Sequence, residues 1–186
     1  PGKKIEKIIR TLFIKQRSIM RYLLIISIFL WNFSGVAVAG SDKDEVLKML
    51  EGRHWKLDIR GFNKLGDSTD VILIEIAKND SLMNVIRFRA LEVLSLFPTD
   101  KTALFLEETA EKAFTPMARR GFQAMKRSFA KSKPERVKRL ATKLLQHKNA
   151  NIRISAARYI RSKDQTLFRG FIKSETESWV REAAQK

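Results

Sequence analysis

The sequence predicts an all-α chain: a short α-solenoid of about four to five helix-pair repeats, standing behind an N-terminal export segment. Three observations carry this. From Ser41 onward apolar residues recur at three- and four-residue spacing, with short polar breaks at helix-length intervals. No stretch alternates with period two, so no sheet is expected. An apolar residue followed by arginine returns at intervals that fit one helical hairpin.

Residues 1–39 read differently from the rest. Seven basic residues against the single acid Glu6 precede an apolar run from Tyr22 to Trp31. Asn32-Phe33-Ser34-Gly35 then weakens the helix, and Ala37-Val38-Ala39 supplies small residues of the kind a signal peptidase needs. Residues 1–39 are therefore expected to be a signal segment cleaved after Ala39, and a chain starting at Met20 would carry a signal of ordinary length. Read instead as an uncleaved anchor, the stretch from Tyr22 to Ala39 is short for a membrane span and interrupted by polar groups. Both readings send the remainder out of the cytoplasm, because the positive flank stays inside. The expected location is periplasmic or secreted, and a membrane is met only through an uncleaved N-terminus.

Residues 40–186 are expected to form one repeat domain, opening with a capping helix over 42–52. Asp70 to Lys78 is a compact apolar segment ended by Asn79-Asp80. Val85, Ile86, Ala90, Leu91, Val93 and Leu94 then follow helical spacing until Pro98 stops the run. Thr99-Asp100 is a cap for the helix carrying Ala103, Leu106 and Ala110. Pro116 and Pro134 suit first helical turns, where a missing N–H costs nothing. Asn149 separates the helix of Val137, Leu140, Ala141 and Leu144 from that of Ile152 to Ile160, and Asp164 leads into Leu167 to Ile172. Ile86, Ala90, Leu140, Leu144, Ile152 and Ala156 are expected in the core.

Ile59-Arg60, Ile86-Arg87, Ala118-Arg119, Ile152-Arg153 and Val180-Arg181 fall into one register, with the arginine returning roughly every 30 residues. A unit of that length buries its apolar stripe by stacking on its neighbours. The pattern resembles the HEAT-like repeats of bacterial proteins, whose first helix carries a V-R-x-x-A core, here Ile86-Arg87-Phe88-Arg89-Ala90 and Ile152-Arg153-Ile154-Ser155-Ala156. Leu65-Gly66-Asp67 matches the turn typical of that family. The resemblance covers Trp55 to the C-terminus and implies a fold, not a function. Phe122 and Asn63 stand where the pattern has a small residue, which predicts looser packing in the third unit. The five aligned arginines read first as structural, pairing with turn acids or carbonyls while their stems cover apolar surface.

Charge is unevenly spread. Six of the +17 lie in residues 1–39, leaving +11 for the rest. Residues 40–111 hold ten Lys/Arg and fourteen Asp/Glu, whereas 112–173 hold eighteen Lys/Arg and two acids, Glu135 and Asp164. Arg136, Arg139 and Lys143 lie opposite the apolar face of their helix, and Arg169 and Lys173 sit one turn apart on a later one. Second helices of HEAT-like units line the concave face, so the resemblance implies that these five share a basic patch able to attract an anionic partner. A solvated helical face is the plainer reading of the same charges.

No catalytic constellation is visible. His54 and His147 lack further metal-type ligands at helical spacing, Glu107 and Glu108 point to different sides of a helix, and cysteine is absent. No Gly-rich phosphate loop and no hydrolase motif occurs. No metal, cofactor or small-molecule substrate is expected. The expectation is an exported, non-catalytic scaffold binding a protein or an anionic envelope polymer. A membrane-anchored periplasmic scaffold and a nucleic-acid-binding HEAT-like protein, or a glycosylase of the DNA-repair type, are the alternatives. Export and the lack of an assignable catalytic acid in the basic stretch oppose the last.

Overall fold

Caps and prolines set where each helix begins. The computed structural model describes residues 40–186, so the expected signal segment, its Met20 start and its Ala39 cleavage site fall outside the described residues. The described residues hold ten helices and no strand. These are α1 (Gly40–Leu50), α2 (Ile59–Phe62), α3 (Thr69–Lys78), α4 (Asn84–Leu94) and α5 (Asp100–Lys112). They continue with α6 (Thr115–Phe129), α7 (Pro134–Leu144), α8 (Ala150–Arg161), α9 (Gln165–Ser174) and α10 (Ser178–Gln185). The Thr99 hydroxyl accepts from the Thr102 N–H at 3.1 Å, the Asn149 side chain from Asn151 at 3.0 Å and Asp164 from Leu167 at 2.9 Å. Each such cap satisfies an orphan helix donor and contributes about 1 kcal/mol. Pro116 and Pro134 occupy the first turns of α6 and α7. Where a capping helix is expected over 42–52, the helix α1 spans Gly40–Leu50, and Gly52, with φ of 95°, follows it in a conformation that suits glycine.

Residues Ser41–Lys186 form one compact unit. Helices pack on their sequence neighbours and next neighbours. The pairs α3/α4, α5/α6, α7/α8 and α8/α9 lie against each other; α4 then meets α6, α6 meets α8 and α8 meets α10, while α3 meets α5 and α5 meets α7. Of the helices bearing the apolar-Arg pair, α4 and α6 pack most extensively on the helix before them. Expected first in each unit, these two stand second in the closest pairs, and the link that closes one of them is as short as Ala113-Phe114.

All six expected core residues are buried: Ile86, Ala90, Leu140, Leu144, Ile152 and Ala156. The two expected departures resolve in opposite ways. Phe122 does not loosen the third unit. It is fully buried, meets Tyr159 edge-on at 6.3 Å between ring centroids, and its neighbour Gly121 lets α5 approach closely. Asn63 is not a core position at all. It follows the four-residue α2, where Phe62 is buried instead and Ile59 is half-exposed, so the first aligned unit is out of register with the others.

Candidate functional site

The aligned arginines divide into two classes. Arg87 on α4 donates to the Ala77 carbonyl at the end of α3 and pairs with Asp80 at 2.6 Å. Arg153 on α8 donates to the His147 carbonyl at 3.0 Å and to Glu175 and Glu177 at 2.7 and 2.6 Å. Arg181 on α10 donates to the carbonyls of Glu175 and Thr176. Each reaches back from the first turn of its helix to carbonyls at or just past the end of the preceding one, where the helix dipole favours a cation. Arg119 does not. α6 begins one residue earlier relative to the aligned pair, and Arg119 is exposed, with no hydrogen bond or ion pair among the described residues. Arg60, on the irregular α2, is likewise exposed and has no ion pair among the described residues.

Of the five residues expected to share a basic patch, Arg136, Arg139 and Lys143 line one cleft and Arg169 and Lys173 another. Arg136 is four-fifths buried and grips Glu107 with two parallel bonds, Nε to Oε1 at 2.7 Å and Nη2 to Oε2 at 2.9 Å, with Asp100 at 3.5 Å. Those bonds hold its guanidinium above its ordinary basicity, against the opposing effect of burial. Lys143 pairs with Glu111 at 3.1 Å, and Arg139 lines the same shallow cleft between α5 and α7. Arg169 and Lys173 line a separate depression with Arg161 and Phe168, where Arg161 is already committed to the carbonyls of Ala184 and Gln185. Part of the basic face of α7 lies against acids of α5, so Arg136 and Lys143, uncompensated along their own helix, are paired between helices. Lys133 with Asp100 extends the same seam, and Arg127 of α6 pairs separately with Glu92 of α4.

A groove of about 620 Å³ lies elsewhere, across α6, α8 and α10. Arg119, Arg120, Lys126 and Arg158 line it, and no carboxylate does. Arg119 and Lys126 lie two turns apart on α6. Arg120 lies over the Phe88 ring, 3.9 Å from its centroid, which positions the guanidinium without neutralising it. Lys126 stands over Phe122 at 4.9 Å; burial, followed by the nearby Arg127, pulls its basicity below the ordinary lysine value. Arg158 donates to the Ala183 carbonyl at 3.0 Å from the last turn of α8. Gln123, Asn151 and Ser155 add neutral hydrogen-bonding groups, and the half-exposed Trp179 closes one end. The Trp179 N–H donates to Glu177, a carboxylate already held by Arg153. The sequence hid this groove because its lining comes from three helices, none conspicuous alone.

His147 sits in the α7–α8 turn, its Nδ1 accepting from the Asn149 N–H at 2.9 Å, and burial lowers its pKa. His54 is exposed. Glu107 and Glu108 do diverge, one to Arg136 and the other to Lys112. Glu135 lies in the first turn of α7, and Asp164, the α9 cap, also pairs with Lys138 at 2.9 Å. Among the described residues no group of His, Asp and Glu is placed to hold a metal ion, and no helix is long and apolar enough to cross a membrane. No protein-family model matches the chain, nor does any curated protein or solved structure.

Proposed function

We propose that the chain is an exported, non-catalytic scaffold, a short α-solenoid of HEAT-like helix pairs, which holds an anionic partner on its even-numbered helices. The observation that carries this reading is the groove of α6, α8 and α10, where four cations meet and no carboxylate lines the wall. Like charges brought together without a partner cost free energy, and a bound anion removes that cost. The five cations Arg136, Arg139, Lys143, Arg169 and Lys173 contribute to the long-range field, but Arg136 and Lys143 are committed to Glu107 and Glu111. The solenoid reading draws on the order of packing and on the arginine-to-carbonyl bonds that recur at Arg87, Arg153 and Arg181.

Two measurements test it. The N-terminus of the native protein, read by mass spectrometry, is expected at Gly40; a cytoplasmic protein retaining residues 20–39 would refute export. Binding to dextran sulfate, followed as a function of salt, is expected to weaken steeply as ions compete. R119Q/R120Q/R158Q should abolish it with helicity intact, while R139Q/R169Q/K173Q should leave most of it. The reverse ranking would move the binding face to α7 and α9.

A further inference from the structure

The neutral groups of the groove say more than its charge. A site for a simple polyanion needs cations alone. Here Gln123 on α6 and Asn151 and Ser155 on α8 stand among the cations, each able both to donate and to accept. That is the chemistry of a hydroxyl-bearing ligand. Trp179 is half-exposed at the rim, and its N–H is tied to Glu177 at 2.9 Å, which orients the indole while leaving about half of the residue to solvent. An exposed, oriented indole offers an apolar face to a flat ligand surface such as the C–H side of a sugar ring. One aromatic alone does not make the ladder on which successive bases of a single strand stack. Three of the four cations are arginines, whose fork matches a carboxylate or sulfate with two parallel bonds. About 620 Å³ falls within the ~300–1,000 Å³ typical of ligand sites, room for a short oligosaccharide segment rather than a single ion.

We infer that this groove binds an acidic polysaccharide, its acid groups on Arg119, Arg120 and Arg158 and one sugar ring on Trp179. The inference rests on the anion-binding reading above and adds the identity of the ligand. Arg119 is central to it. The aligned arginines Arg87, Arg153 and Arg181 are spent on backbone carbonyls, whereas Arg119 has no hydrogen bond or ion pair among the described residues and lines the groove.

The test uses the full mature chain and four probes matched in charge or length: a uronic-acid oligosaccharide, polyphosphate, neutral dextran and an oligothymidylate. Calorimetric titration is expected to show the uronic-acid oligosaccharide binding at least about tenfold more tightly than polyphosphate at equal charge, the ratio that one good aromatic contact supplies. W179A should lower its affinity about tenfold and leave polyphosphate unchanged, and W179F should restore most of the loss; circular dichroism checks that α10 stays folded. R119Q/R158Q should remove binding of both. If the two polyanions bind alike and W179A changes neither, the sugar assignment falls while the anion site stands. Preference for oligothymidylate would overturn it in favour of a nucleic acid, and equal binding of neutral dextran would overturn the role of the arginines. If no probe binds, the anion-binding reading falls with it.

Discussion

Arg136 on α7 and Glu107 on α5 are joined by two parallel hydrogen bonds of 2.7 and 2.9 Å, with both side chains at least three-quarters buried. The pair is the centre of a seam along which acids of α5 take up Lys133, Arg136 and Lys143 of the basic stretch. Glu107→Gln should lower unfolding free energy by about 1–2 kcal/mol, the worth of a partly buried charge-assisted bond discounted for solvent screening. Denaturant unfolding checks it, and added salt should shrink the difference between the variants.

The aligned arginines should differ in what they stabilise. Arg153 and Glu175 are 13% and 5% exposed, so Arg153→Ala strands a buried carboxylate and should cost about 3–5 kcal/mol. Arg119→Ala removes an exposed side chain with no hydrogen bond or ion pair among the described residues and should stay within about 0.5 kcal/mol of the parent. Equal losses in thermal or denaturant unfolding would show that Arg119 has a structural partner after all.

Two glycines within helices should respond to alanine with opposite signs. At Gly121 an added methyl would meet the Thr109 side chain at 2.9 Å and the Ala110 backbone nitrogen at 3.2 Å. Overpacking there should outweigh the helix-propensity gain, for a net loss of about 1 kcal/mol. At Gly170 nothing lies within 4 Å, so Gly170→Ala should gain about 0.5–1 kcal/mol. Thr109→Ser should soften the first loss, since it removes the obstructing methyl.

Acid should destabilise the fold in two stages. His147 has its pKa lowered by burial, so the unfolded chain takes up a proton first as pH falls below about 6.5, giving a shallow loss. Glu175 is held below its ordinary 4.5 by Arg153, Asp100 below 3.8 by Lys133, and Asp164 below 3.8 by the Leu167 N–H and Lys138. Their contribution is complete above those ordinary values and disappears as pH falls through the depressed ones. The thermal midpoint should therefore drop steeply below about pH 4.5. Glu175→Gln should start lower at pH 7 and fall less on acidification.

The helices were legible because their signals are local. Thr99, Asn149 and Asp164 cap by geometry within three residues, and the prolines of α6 and α7 need no tertiary information. The burial of Leu144 or Ile152 follows from spacing on one helix. The charge pattern misled because pairing is a property of neighbouring helices. Nothing along α7 announces that Arg136 and Lys143 face Glu107 and Glu111 on a helix two elements earlier. The groove failed to show for the same reason, and the register of Ile59 because α2 is too short to obey a helical repeat.

The packing of each helix on near neighbours has a mechanical consequence. Among the described residues no strand staples α3 to α10, so tension applied to the two ends of this unit loads its interfaces in series. In the proposed solenoid, such loading is expected to peel one helix or helix pair at a time, each step releasing a similar length, with recoil from whatever stack survives. The unit would act as a short extensible link whose stretched state is reached gradually, where a sheet-bound domain would hold and then give way at once.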